Sequence, residues 1–210
     1  MNTPKYDADP YHFGFSLGFN KMDFSIHNSD IFWGLDSVRS VENKEMLGFQ
    51  LGIVSSLRLG EYFDLRFLPG LNFGQRNISY VLKSKKDTAY YTHEMKIESI
   101  FLDFPLLLKY KAARLNNYRP YLIGGASVRY DLASQKKIKE EEKPKIRLNP
   151  LDFYYELGFG IDFYLPYFKL STELKLAVGI MNVLNRDNTE FTSSIGKMNS
   201  KLILLSFHFE

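Results

Sequence analysis

Residues 152–170 read DFYYELGFGIDFYLPYFKL. Taken two at a time, Phe153, Tyr155, Leu157, Phe159, Ile161 and Phe163 fall on one side. Asp152, Tyr154, Glu156, Gly158, Gly160 and Asp162 fall on the other. A period of two is the mark of a β-strand with two unlike faces.

The same rhythm returns along the chain. Phe13, Phe15, Leu17 and Phe19 alternate with Gly14, Ser16, Gly18 and Asn20; Leu47, Phe49, Leu51 and Ile53 alternate with Gly48, Gln50 and Gly52. Further segments lie at 62–73, 99–109, 118–130 (of weaker contrast), 168–179 and 201–210, giving eight strands in all. After Asn20 the phase slips, and Met22, Phe24 and Ile26 take over; a bulge, or a strand end rising above a membrane, accounts for such a slip. Between strands, 27–44, 76–92, 131–150 and 182–199 are long and polar, whereas 58–61, 111–117 and 165–167 are short. Short links make antiparallel hairpins. Strict alternation gathers the long loops at one end, as in outer-membrane barrels.

Which face points inward follows from its composition. The polar phase of a soluble sandwich is rich in Lys, Thr, Ser and Glu. Here it carries repeated glycines and isolated charges of both signs. Glycine weakens a strand interior unless space is short. The interior of an eight-stranded barrel is just wide enough for side chains to fill. Buried charges survive there only when paired, and the candidates are Asp64, Arg66, Asp103, Lys109, Glu156, Asp162, Glu173 and Lys175. The apolar phase is then the lipid face, with Tyr62, Tyr110, Tyr118, Tyr130, Tyr164 and Tyr167 near strand ends as an aromatic girdle. The expected architecture is an all-β, eight-stranded antiparallel up-and-down transmembrane barrel over residues 11–210. Its long loops are extracellular, its turns periplasmic, and residues 1–10 form a periplasmic extension. A lipocalin-like soluble barrel is the competing reading, but FWGLD at 32–36 is not the strand-borne Gly-x-Trp of such carriers.

The 210 residues include 16% aromatics, no cysteine and a net charge of +3. That balance offers no reason to expect nucleic acid as a partner. Disulfides and Cys-based zinc sites are excluded. No apolar run reaches the length of a transmembrane helix. MNTPKYDADP lacks the features of a signal peptide, so a barrel reading takes the leader as removed. His12 and His208 share the lumen phase near the periplasmic end on strands that closure makes neighbours, so they are expected to approach each other. His27 and His93 lie in or beside loops. No spacing argues for a catalytic constellation, a cofactor or a phosphate loop, and no enzyme activity is expected.

Several segments resemble one family: YHFGFSLGFNKMDFSI (11–26), YFDLRFLPGLNFGQRNISY (62–80), FPLLLKY (104–110), RPYLIGGASVRYDL (119–132), ELGFGIDFYLPYFKLSTELKLAVGIMNVL (156–184) and LSFHFE (205–210). They look like the PorT family (SprT in gliding species), outer-membrane barrels of Bacteroidetes tied to type IX secretion. The resemblance implies an outer-membrane protein serving protease export or gliding, with outer-membrane lipids and other type IX secretion proteins as partners. The aromatic end SFHF resembles the terminal strand that barrel-assembly machinery recognises. A filled eight-strand barrel has no room for a polypeptide, so an accessory or assembly role is expected rather than a conduit. The alternative is an OmpA/OmpX-like surface-binding barrel, an adhesin or receptor using its long loops.

Overall fold

A computed structural model describes residues 2, 6, 9–29, 38–83, 90–134, 146–185 and 194–210. The segment 32–36 and most of the mixed-charge run at 134–149 lie outside these residues, as does the side chain of His93. The strands are β1 (Tyr11–Asn28), β2 (Val38–Arg58), β3 (Phe63–Phe67), β4 (Gly70–Lys83), β5 (Tyr90–Lys111), β6 (Tyr118–Asp131), β7 (Arg147–Leu148), β8 (Leu151–Tyr164), β9 (Lys169–Gly179), β10 (Leu184–Asn185) and β11 (Ile195–Phe209). β1 pairs antiparallel with both β2 and β11, which closes the sheet into a ring. β3 and β4 lie end to end between β2 and β5 and act as one stave, interrupted at Leu68 and Pro69. The ring therefore has eight staves, all antiparallel. β7 and β10 make a small separate pair among the outer connections.

The apolar phase points outward. Phe13, Phe159, Leu157 and Leu122 are 69%, 57%, 62% and 60% exposed, while Asp162, Glu156 and Arg129 on the opposite phase are at 0%. Water could not stabilise so large an apolar belt, and hydrocarbon does. Its height follows from β5, where Ile100, Leu102, Phe104, Leu106, Leu108 and Tyr110 all face outward. Roughly ten residues at about 3.4 Å rise, tilted by about 45°, cover about 24 Å, the height of a barrel's hydrocarbon band.

Three of the connections are shorter than the sequence implies. β2 begins at Val38, β4 runs to Lys83, β5 starts at Tyr90 and β11 starts at Ile195, so residues expected in loops continue as strand above the belt. There the chemistry of the two faces exchanges. On β5, Glu94, Lys96 and Glu98 become the exposed positions, and Met95 and Ile97 turn inward. The slip after Asn20 is the same event. β1 pairs without a bulge through Met22 on one side and through His27 on the other. Met22 and Phe24 stay on the inward phase at 0% and 3% exposure. Below the boundary the solvent outside is lipid; above it the solvent is water. Each strand therefore puts its apolar residues wherever water is absent. The inward set includes Phe24, Ile78, Tyr80, Met95, Ile97, Val183, Leu184, Ile195 and Met198, a core that roofs the barrel. One girdle assignment changes: Tyr164 faces the lumen at 2% exposure, whereas Tyr62, Tyr110, Tyr118 and Tyr167 are exposed.

Candidate functional site

The interior is the part of this molecule with unusual chemistry. All eight lumen charges anticipated from the alternation are buried inside. Residues whose strands share no register are brought together as well, because a narrow ring makes every inward side chain a neighbour of those across it.

Most of the charges form one alternating chain. Lys169 Nζ stands 2.9 Å from Glu210 Oε2, whose other oxygen is 2.8 Å from Arg66. Arg66 is 3.3 Å from Glu173, which is 4.0 Å from Lys175. Lys175 is 2.7 Å from Glu156, Glu156 is 2.5 Å from Arg129, and Arg129 Nε is 3.0 Å from Asp103. Two further pairs flank it: Lys109 bridges Asp162 at 2.7 Å and Lys111 meets Asp64 at 2.5 Å. Each ion inside the chain lies between two of opposite sign, so attraction in a medium of low dielectric offsets the heavy cost of removing it from water.

Neutral groups complete the packing. Tyr121 donates a hydrogen bond to Glu173 at 3.0 Å, Ser127 to Glu156 at 2.6 Å and Ser171 to Asp162 at 2.5 Å. Lys109 lies 3.7 Å above the Tyr121 ring and Arg129 4.3 Å above that of Tyr154. Near the top Arg76 is held by Asp131 at 3.3 Å and sits over Phe24 and Phe101. The glycines make this filling possible. A Cβ on Gly160 would stand 2.5 Å from the Tyr121 ring and 2.4 Å from the Thr172 carbonyl oxygen.

The two histidines do not meet. His208 lies opposite Ser16 in the pairing of β1 with β11. His12 is four residues further down β1, about 13 Å at the usual strand rise. The stagger of the closed sheet carries β1 beyond the end of β11. His208 Nε2 faces Glu173 at 3.5 Å. His12 stacks on Tyr6 with centroids 4.0 Å apart. Among the described residues no group of three or more His, Cys, Asp or Glu could hold a metal ion.

Tyr6 and Asn2 lie at the barrel mouth that carries the short turns. The Tyr6 hydroxyl donates to Glu210 Oε2 at 3.0 Å, and its ring meets that of Tyr164 edge-on. Asn2 donates through its main-chain nitrogen to Asn117 at 2.9 Å and accepts a hydrogen bond from Arg114. Burial, and then the Glu210 carboxylate, push the Tyr6 phenol far up, so it stays a neutral donor. Burial alone would raise the Glu210 carboxyl, but Lys169, Arg66 and Lys109 together hold it well below the usual range.

Arg129, Lys111, Lys169 and Glu210 complete the network without having been singled out from the sequence. Arg129 stands on the inward phase of β6, whose outward side is diluted by Gly124 and Ala126, so the alternation there is faint. Glu210 follows the last strand, where no period extends.

A family model described as "Outer membrane protein beta-barrel domain" matches residues 7–185. No curated protein matches the sequence. Among solved structures, the outer membrane protein OprG of Pseudomonas aeruginosa aligns over 95% of this chain and 93% of its own at 14% identity, with a TM-score of 0.52. Neisserial surface protein A aligns over 95% and 98% at 10% identity, with a TM-score of 0.49.

Proposed function

The chain belongs to the outer membrane protein beta-barrel domain family, and from that premise we propose that it is an accessory or assembly component of a type IX protein secretion machine, not its conduit. The outer membrane is its location, and its strands are in contact with lipid. The observation that carries the non-conduit reading is the ionic chain from Lys169 to Asp103, which crosses the lumen with every member buried. An eight-strand ring filled in this way leaves no path for a polypeptide. Support for the secretion context is the likeness of 62–80, 119–132 and 156–184 to PorT-family barrels. Work of this kind is done by contact rather than catalysis, through the belt, the periplasmic turns or the outer loops, with other secretion proteins as partners. In a deletion strain, secreted cargo is expected to accumulate in the periplasm, and the purified protein in planar bilayers is expected to give no large stable channel. Normal cargo export without the protein would refute the role, and a stable large conductance would refute the plug.

One feature favours the second reading, a surface-binding barrel. β2, β4 and β5 carry strand past the membrane on a buried apolar core, which makes a rigid outer platform. Exchange of segments 27–44 and 131–150 separates the two: loss of surface binding with export intact selects the binding barrel.

A further inference from the structure

The lumen is not filled evenly. Most ions of the chain stand on β8 and β9, and Arg66, Arg129 and Asp103 reach them from β3, β6 and β5. β1 and β2 instead turn Ser16, Gly18, Gln50 and Gly52 inward. Such short or neutral side chains leave a cavity of about 30 Å³ beside His208. Ser16, Gln50, Asn72 and Ser206 line it, and Asp103 and Lys175 border it as well.

Two of the lining side chains have polar atoms to spare. His208 is 2% exposed, and β11 sets it across from Ser16 on β1 and Ser171 on β9. Neither of its ring nitrogens makes a hydrogen bond among the described residues. Nε2 faces Glu173 at 3.5 Å, beyond the ordinary length of such a bond. Asn72, also buried, gives its amide N–H to Asp103 Oδ2 at 3.2 Å, which fixes the orientation of the amide. Its carbonyl oxygen has no partner among the described residues. Buried polar atoms left without a partner destabilise a fold, and native interiors supply one. Here the orphaned groups come from β4 and β11, strands that do not adjoin, and they line the same cavity.

The lining also selects the occupant. A cation would stand beside the Lys175 ammonium, and an anion beside the Asp103 carboxylate. The Asn72 oxygen needs a donor. An imidazole always carries at least one N–H, which needs an acceptor. The occupant must therefore be small, neutral and able both to donate and to accept, which describes water. One water needs about 10–15 Å³ of such space, so the cavity takes two. We propose that this cavity is a binding site for two water molecules, held by His208, the Asn72 carbonyl and the hydroxyls of Ser16 and Ser206. They link Asp103, by way of Asn72, to His208 beside Glu173, a neutral bridge parallel to the ionic chain. This site is independent of any secretion role.

High-resolution crystallography of the detergent-solubilised protein tests it. In wild type two density peaks are expected in the cavity, within about 2.7–3.2 Å of a His208 nitrogen or the Asn72 oxygen. Soaks in rubidium and in bromide salts, read by anomalous scattering, should show neither ion there. His208→Phe keeps a ring of similar size and removes both nitrogens, and it should lose at least one of the two peaks. Heat-modifiable migration on gels verifies that the variant is folded, and the wild-type maps decide the matter if it is not. An empty cavity in wild type, His208 and Asn72 bonded to protein groups instead, an anomalous ion at the site, or both peaks unchanged in folded His208→Phe would each overturn the assignment.

Discussion

Arg129→Met tests the ionic plug most sharply. Arg129 is fully buried, 3.0 Å from Asp103 and 2.5 Å from Glu156. Methionine fills much the same length and removes only the charge and its donors. The two carboxylates are then left unequally. Glu156 keeps Lys175 at 2.7 Å and Ser127 at 2.6 Å. Among the described residues Asp103 keeps the Asn72 amide, at 3.2 Å, as its hydrogen-bond donor, with Lys175 acting on it from further off. Removing one partner of a buried pair costs about 3–5 kcal/mol because the other charge is stranded. At 1.36 kcal/mol per decade, the folding equilibrium falls by roughly two to four powers of ten. The asymmetry predicts which second change rescues. Asp103→Asn takes away the stranded charge, so Arg129→Met, Asp103→Asn should recover most of the loss. Glu156→Gln would strand Lys175, whose other carboxylate, Glu173, is 4.0 Å away, so Arg129→Met, Glu156→Gln should stay near the single variant or below it. Urea unfolding in lipid vesicles, followed by Trp33 and tyrosine fluorescence, reads all four proteins. A loss below about 1 kcal/mol for Arg129→Met, or equal rescue by the two second changes, would refute the continuous chain.

The belt has its own test. Phe159→Arg, in mid-belt, should cost about 2–4 kcal/mol, and Glu98→Arg, above the boundary, about 0–1 kcal/mol; equal effects in vesicle unfolding would show the boundary misplaced. Gly160→Ala would press its methyl against the Tyr121 ring and the Thr172 carbonyl. A cost of about 1–3 kcal/mol is expected, and unchanged stability would mean the lumen is less filled than described. Glu210 is held low in the folded state, so its contribution is complete above the ordinary carboxylate pKa of about 4.3 and fades as the pH falls below it. Glu210→Gln should flatten that acid limb, and an unchanged pH profile of the unfolding midpoint would remove Glu210 from the ionic chain.

How far the sequence could be read is clearest at particular residues. Phe153 and Glu156 were assignable to lipid and lumen because a strand's period is two, a purely local fact. Arg129 and Glu210 were not, one masked by small outward neighbours and the other beyond the last strand. The expected histidine pair failed at a different point. Adjacent strands and a shared face are legible in sequence. Height along the barrel depends on the stagger of closure, which sets Ser16, not His12, against His208.

The amino-acid order alone determined the strands, the turns, the direction of each face and so the membrane. Those properties rest on pairwise alternation and on short links, which act over a few residues. Tertiary structure decided which ions touch, how tall the strands stand, and where Met22, Phe24, Met95 and Ile97 go. Those depend on ring closure and on which solvent surrounds each level. The same alternation means lipid-facing at Phe19 and lumen-facing at Phe24, and only the position of the water boundary between them tells the two apart.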